Sequence, residues 1–282
     1  MSKLAGRPRL ETTGMDDDAV VATLMRCLRE GERIAPLTAG PGGLGMARAY
    51  RIAARVAALR ERDGERPVGR KIGFTNRTIW DEYNVSATIV GPMYHTTVRP
   101  LDGRAVAIPG LAEPRIEPEI AFRLAAPPEP GMDAHELLGC VSGICAGFEL
   151  VQSIFPGWVF GAADTVAAFG LHGAFLHGPI VELPATGRAD WIARLAEFRT
   201  TLRRDGQVVD RGDARNVLGG GPVAALAHLA RLVAETADAA PLAAGELVTT
   251  GTLTRALPVS PGETWRASFD GLPLDPIEVG LS

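Results

Sequence analysis

Residues 114–122 read PRIEPEIAF, an apolar run carrying two glutamates one residue apart. Side chains alternate between the faces of a strand, so Glu117 and Glu119 point the same way, with Ile116, Ile120 and Phe122 around them. Two like charges this close in a core are costly unless something positive lies between them. A fold that buries this segment must supply a cation or leave that face in water.

The rest of the chain has the material for a sizeable core. It is 282 residues long, 46% hydrophobic and 22% charged, ordinary values for a globular protein. A net charge of −4, with no basic stripe interleaved with aromatics, argues against a nucleic-acid partner. Cys27, Cys140 and Cys145 form neither a disulfide framework nor a zinc motif, which fits a reduced, cytoplasmic setting. No apolar run reaches the roughly 18 residues of a membrane span, and MSKLAGRPRLETTGMDDD lacks an apolar signal core. Residues 1–15 are expected to be a disordered leader.

Residues 16–31, DDDAVVATLMRCLREG, place acids first, apolar residues at helical spacing, arginines late and a glycine last, the pattern of a capped amphipathic helix. A second helix is expected over 46–62, ended by Gly64 and Pro67, and a third over GPVAALAHLARLVAETAD; DAHELLGCV reads as a short one. Between them VGRKIGFT, TTVRPL, AVAIP, RIEPEIAFRLA, GICAGFELVQS and HGAFLHGPIVEL read as strands. EFRTTLRRDGQVVDRGD carries the Asp205-Gly206 turn of a hairpin. The C-terminal ELVTTGTLTRALPVSPGETWRASFDGLPLDPIEVGLS alternates in strand fashion. Helices early and late with strands elsewhere predict an α+β fold with mixed strands. Residues 16–282 are read as a single catalytic domain, helical to about residue 66 and β-rich from about 67.

Several residues are candidates for chemistry. Glu117, Glu119 and, thirty residues on, Glu149 in AGFELV sit in apolar strands and would suit a hard divalent cation; a solvated strand face explains them as well. Lys71 is one of only two lysines among 29 basic residues and lies among Val68, Ile72 and Phe74. It is either a functional group or an edge-strand lysine that discourages aggregation. Asp164 in GAADTVAAFG and Thr252 and Thr254 in TTGTLTRA suit a pocket floor, or simply a turn and a strand. GPGGLG at 40–45 has the outline of a dinucleotide fingerprint, but no suitable strand precedes it, and it reads as a loop leading into a helix. The five histidines have no metal spacing, and there is no G-x-S-x-G.

In order, GRKIGFT, PRIEPEIAF, GFELVQS, the Asp-containing stretch ending AAFG, and GTLTRALPVSPGETWRASF resemble the hydratase/decarboxylase branch of the fumarylacetoacetate hydrolase superfamily, from about residue 16 to the end. The resemblance implies a mixed, rolled β-sheet around a metal, with N-terminal helices packed outside. It assigns Glu117, Glu119 and Glu149 to the divalent metal, Mg²⁺ or Mn²⁺, and Lys71 to the active site; Arg115, Asp164, Thr252 and Thr254 are expected as substrate-binding residues. The substrate implied is a small 2-hydroxydienoate or 2-oxo acid from aromatic catabolism, to which a hydratase adds water. A decarboxylase of a 2-oxo-3-enedioate is the close alternative. An acylpyruvate hydrolase lacks its His-x-x-Glu pair here, and a non-catalytic partner subunit is a further reading. A homo-oligomer is implied, with association between hydratase and decarboxylase as in some relatives. Where relatives carry an Asp for proton transfer this chain reads SATIVGPMYHTTV, leaving Tyr94, His95 or water as substitutes. Where they carry Asp-Asn it has Asp164-Thr165.

Overall fold

The Asp16 carboxylate accepts the amide of Ala19 at 2.8 Å and opens helix α1 (Asp17–Glu30), which Gly31 closes in the left-handed region at φ 63°. The computed structural model describes residues 16–40, 43–108, 110–184, 186–236 and 239–282, so the expected leader lies outside the described residues. After α1 come α2 (Met46–Arg62), β1 (Pro67–Gly73), α3 (Trp80–Tyr83), β2 (Ile89–Tyr94) and β3 (Val98–Pro100). Then follow β4 (Arg115–Leu124), α4 (Ala134–Gly139), β5 (Val141–Val151), α5 (Ala162–Ala167), β6 (His172–His177) and β7 (Val181–Glu182). The chain ends with α6 (Arg188–Glu197), β8 (Arg199–Arg204), β9 (Gln207–Asp213), α7 (Pro222–Glu235), β10 (Leu247–Thr249), β11 (Leu257–Pro258), β12 (Thr264–Asp270) and β13 (Ile277–Gly280).

The larger sheet runs β2-β1-β10-β4-β5-β6-β3, with β11 on β4 and β7 on β5. It is mixed: β1–β10 and β3–β6 are parallel, and the β4–β5 pair at its centre is antiparallel. A second sheet, β13-β12-β8-β9, contains the predicted hairpin, with Asp205 and Gly206 both at positive φ as a type I′ turn requires. The fold is thus the expected α+β type, a curled mixed sheet with N-terminal helices against it.

Strand parity decides what each face of β4 and β5 carries. Ile116, Ile120, Phe122, Ile144, Phe148 and Leu150 join a core with Leu137 of α4, Leu195 of α6 and Leu226 and Leu229 of α7. The opposite face carries a smaller cluster of Met93, Ala121, Cys145, Phe175 and Leu247, and the two glutamates follow Ala121 on that face. The N-terminal helices pack through Leu24, Ile52 and Val56 against the 151–171 segment, including Phe155, Phe160 and Val166. Both faces being covered, β5 is buried over nearly its whole length.

Three expectations are corrected. Residues 105–108 of AVAIP form no strand, only an isolated bridge from Val106 to Leu281, and Pro109 lies outside the described residues. AADTVA, read as a small-residue stretch, is helix α5, and α6 was not anticipated although it buries Trp191 and Leu195. In the GPGGLG loop, Gly45 stands as N-cap of α2; residues 41–42 are outside the described residues.

Candidate metal and substrate site

The β4–β5 register sets Glu117 directly opposite Glu149 and Glu119 opposite Gly147. With Glu117 and Glu119 on one face, the three carboxylates come within 4.8 Å of one another. Glu119 and Glu149 are fully buried, while Glu117 keeps some contact with solvent.

Lys71 enters from β1, three places away in the strand order. In a flat sheet that separation is roughly 14 Å. The Lys71 Nζ nevertheless lies 3.2 Å from Glu149 Oε2, which the curl of the sheet permits. Its other anchor is the Gly170 carbonyl, at 3.0 Å. Gly170 has φ 61°, and a Cβ there would press on Lys71 Cδ and Gly91 Cα at 3.4 Å.

Glu149 is held on both oxygens, by Lys71 on Oε2 and by His172 Nδ1 at 2.9 Å from Oε1. An ionised carboxylate only accepts, so Nδ1 carries the proton, and the Thr97 hydroxyl 2.9 Å from Nε2 fixes the far side of the ring. Glu119 Oε2 accepts the Gly251 amide at 2.7 Å. That contact needs glycine, because at φ 93° a Cβ on residue 251 would stand 1.8 Å from Thr75 Oγ1.

Burial opposes ionisation at all three carboxyls, and their neighbours separate them. Burial pushes Glu117 up to about 7, Lys71 opposing and Glu149 adding to the shift. Burial, Glu149 and Glu117 raise Glu119 well above the carboxylate range. Burial acts the same way on Glu149, yet Lys71 and His172 hold it down to about 2. Burial also works against the Lys71 ammonium, but the three carboxylates outweigh it and raise its pKa. Burial lowers His172, against the pull of Glu149.

These groups fit a divalent ion. Ionised together, three carboxylates facing one ammonium would leave two negative charges to balance, and without a cation burial answers by holding Glu117 and Glu119 toward the neutral form. Glu119 Oε1 and Glu149 Oε2 are buried without a hydrogen-bond partner, the Lys71 contact being an ion pair out of hydrogen-bond line. Oxygen donors of this kind suit a hard cation. It is the one such acidic group among the described residues.

Glu117, Glu119 and Lys71 border a cleft whose remaining wall includes Phe74, Ile79, Tyr83, Val151, Trp158 and Thr252. Of the other residues singled out in the sequence, Thr252 reaches this cleft and the rest lie elsewhere. His95 is exposed beyond β2, its Nδ1 accepting the Arg66 amide at 3.1 Å. Tyr94 is buried under the Arg60 guanidinium, 3.8 Å from its ring, and lines a separate cavity. Asp164 is a structural lock: it accepts Thr38 N at 2.9 Å, Thr38 Oγ1 at 2.6 Å and Gly161 N at 2.8 Å, tying α5 to the 37–39 turn. Thr252 reaches the cleft with its hydroxyl spent on the Thr254 carbonyl, and Thr254 lies behind it, bonded to the Arg255 carbonyl. Arg115 does not line the cleft but stacks over Trp158 at 4.2 Å. His172 escaped notice because a lone histidine without motif spacing gives no signal until β6 is registered on β5.

Fold and site together define a rolled-sheet protein with a buried acidic centre suited to a divalent ion. Residues 84–274 match the model of the fumarylacetoacetate (FAA) hydrolase C-terminal family, and the chain belongs to that family. It is 31% identical over 252 residues to 2-hydroxyhexa-2,4-dienoate hydratase of Comamonas testosteroni, covering 88% of this chain and 92% of that protein. It is 30% identical over 228 residues to a 4-oxalocrotonate decarboxylase of Pseudomonas sp. (strain CF600), covering 79% and 81%. The solved 4-oxalocrotonate decarboxylase from Pseudomonas putida G7, complexed with magnesium and adipate, aligns at TM-score 0.84 over 96% of this chain and 100% of its own. At 24% identity that likeness concerns the fold.

Proposed function

We propose that this protein is a divalent-metal-dependent hydratase that converts a 2-hydroxy-2,4-dienoate into a 4-hydroxy-2-oxo acid. The observation that carries the reading is the buried convergence of Glu117, Glu119 and Glu149 beside Lys71. Hydratase relatives at about 31% identity over most of the chain support it. Residues 16–282 act as one catalytic unit on this reading.

Glu117, Glu119 and Glu149 would hold the ion, Mg²⁺ or Mn²⁺, which supplies Lewis acidity toward the C1 carboxylate and C2 oxygen of the substrate. The chain's own groups do the rest. His172 keeps Glu149 oriented, and the Gly251 amide keeps Glu119 oriented. Lys71 stabilises negative charge at the C2 oxygen, its pKa held up by the same carboxylates. The dienol gives up its O–H proton as C5 gains one, forming the 2-oxo-3-enoate. Water then adds its oxygen at C4 and a proton at C3. Neither His95 nor Tyr94 borders the cleft, so on this reading the proton moves through Lys71 or through water.

A homo-oligomer is proposed from family membership, which light scattering tests against the 29.8 kDa chain. A cytoplasmic setting is in keeping with three free, buried cysteines. The decisive assay follows loss of dienol absorbance with added Mg²⁺ and identifies the product by NMR. Turnover that survives EDTA overturns the proposal. Release of CO₂ from a 2-oxo-3-enedioate, without hydration of the dienol, transfers the site to the decarboxylase reading that the relatives of that name favour.

A further inference from the structure

Two residues before β4, Glu113 stands at φ 45°, and after β5 Gly157 and Trp158 stand at φ 68° and 60°. In glutamate and tryptophan such backbone is kept in place by its surroundings. Here the two segments hold each other. Glu113 Oε2 accepts the Gly157 amide at 2.9 Å, and the Glu113 carbonyl accepts Trp158 Nε1 at 3.0 Å. The other carboxylate oxygen, Oε1, accepts Arg33 Nη1 at 3.0 Å. An ion pair to an arginine as exposed as Arg33 adds little by itself, but it fixes which way the carboxylate turns.

What these bonds hold is part of the cleft, although Glu113 itself does not line it. Trp158 borders the cleft together with Glu117, Glu119 and Lys71. Arg115, two residues beyond Glu113, stacks over Trp158 at 4.2 Å. The indole is thus gripped at its N–H by Glu113 and over its face by Arg115. The next residue, Val159, is 68% exposed, the one large hydrophobic residue so placed among the described residues, so its side chain does little to pack the turn down. That leaves the carboxylate-to-amide bond, of the stronger charge-assisted kind, as the side-chain anchor of the turn.

We infer that Glu113 is a positioning residue, which holds Trp158 in the wall of the cleft and so sets how tightly the organic ligand is bound. This rests on the reading of the site as one for 2-oxo and 2-hydroxydienoic acids. With the carboxylate removed, the Gly157 amide turns to water and the indole no longer presents a fixed surface. Ordering that wall then becomes part of the cost of binding. The metal ligands stay where the β4–β5 register puts them.

The test compares the wild type with Glu113→Ala and Glu113→Gln. Alanine keeps the backbone carbonyl for Trp158 and removes only the carboxylate, while glutamine keeps one oxygen able to accept the Gly157 amide. Calorimetry on the magnesium-loaded protein reads the Kd of 2-oxopentanoate, an unreactive acid. Steady-state assays read KM and kcat with 2-hydroxypenta-2,4-dienoate, the shortest dienol of the proposed class. Glu113→Ala is expected to raise Kd and KM together by about tenfold, with kcat within about twofold and Mn²⁺ affinity as in the wild type. Glu113→Gln should raise them by no more than about threefold, a partial rescue. An unchanged Kd in Glu113→Ala overturns the assignment, as does a loss of kcat without a change in Kd. So does a fall in Mn²⁺ affinity, which would make Glu113 a support of β4. If the wild type binds 2-oxopentanoate but does not hydrate the dienol, the hydratase reading fails and the calorimetric comparison still decides the role of Glu113. A wild type that binds no 2-oxo acid in the presence of magnesium removes both.

Discussion

The carboxylate cluster and the aromatic lining of the cleft are built by opposite means. In the cluster, two adjacent strands in fixed register supply Glu117, Glu119 and Glu149, so geometry follows from a two-residue period and one pairing. In the lining, Phe74, Tyr83 and Trp158 come from three separate segments, and Phe74 and Trp158 sit at φ 57° and 60°. Such backbone is costly for non-glycine residues and is held by its surroundings. Here those include the bonds from Trp80 Nε1 to the Phe74 carbonyl and from Trp158 Nε1 to the Glu113 carbonyl. The sheet thus fixes the carboxylates, while α3 and the segments following β1 and β5 place the aromatic rings. Chemistry and specificity should then be separable by mutation.

The largest effect expected from breaking the carboxylate cluster is that of Glu119→Gln. The amide keeps an acceptor for Gly251 but removes a charge from a buried set of three. Metal affinity should fall by more than about 100-fold, beyond the 10- to 100-fold typical of residues that only orient a ligand. Turnover should fall with it. Mn²⁺ titration followed by electron paramagnetic resonance reads the affinity directly, and a protein that still binds the ion normally removes Glu119 from the site.

Lys71→Met separates charge at the substrate from charge at the ion. kcat should drop by about 10² or more, the scale of a lost acid/base or charge-stabilising group. Metal affinity should hold or rise, since an ammonium no longer competes for Glu149 Oε2. If metal affinity collapses instead, Lys71 is a structural member of the carboxylate cluster.

His172→Gln probes the back of the same cluster. Its Nδ1 orients Glu149 without bordering the cleft, so it is a positioning residue. About a tenfold loss of metal affinity is expected, with kcat at saturating metal little changed. A kcat defect that excess metal does not repair would place His172 in the chemistry itself.

The difference between cluster and lining also explains what the sequence could disclose. PRIEPEIAF and GFELV announced the carboxylates because strand period turns spacing into facing. Scarcity of lysine made Lys71 conspicuous. The aromatic wall left no such trace, since nothing in the spacing of Phe74, Tyr83 and Trp158 relates them before the chain is folded. Asp164 misled for a related reason: an acid among small residues suggests a pocket floor, and its actual partner, Thr38, lies 126 residues away. His95, close in sequence to the expected proton carrier, was carried past the end of β2 into solvent.

The smallest expected effect concerns the carboxylate cluster without its ion, and its sign is fixed by the direction of each shift. Glu117, raised from its ordinary 4.5 to about 7, contributes stability that is complete below about 4.5 and lost as pH climbs to about 7. Glu119, also raised, acts in the same sense. Glu149, lowered to about 2, already contributes fully above about 4.5 and is constant over this range, as is Lys71, whose raised pKa lies far above it. His172, lowered from 6.5, opposes the trend by favouring the folded state as pH rises. Two carboxyls against one imidazole leave a net loss, so the Tm of EDTA-treated protein should fall by a few degrees between pH 5.5 and 7.5, about the scale of 1 kcal/mol in a chain of this size. With saturating Mg²⁺ the fall should disappear, because the ion takes up the charge that burial resists. A metal-free Tm that stays level or rises over that interval would mean that Glu117 and Glu119 are not strained by each other's company, and that the carboxylate cluster is open to water in a way the aromatic lining is not.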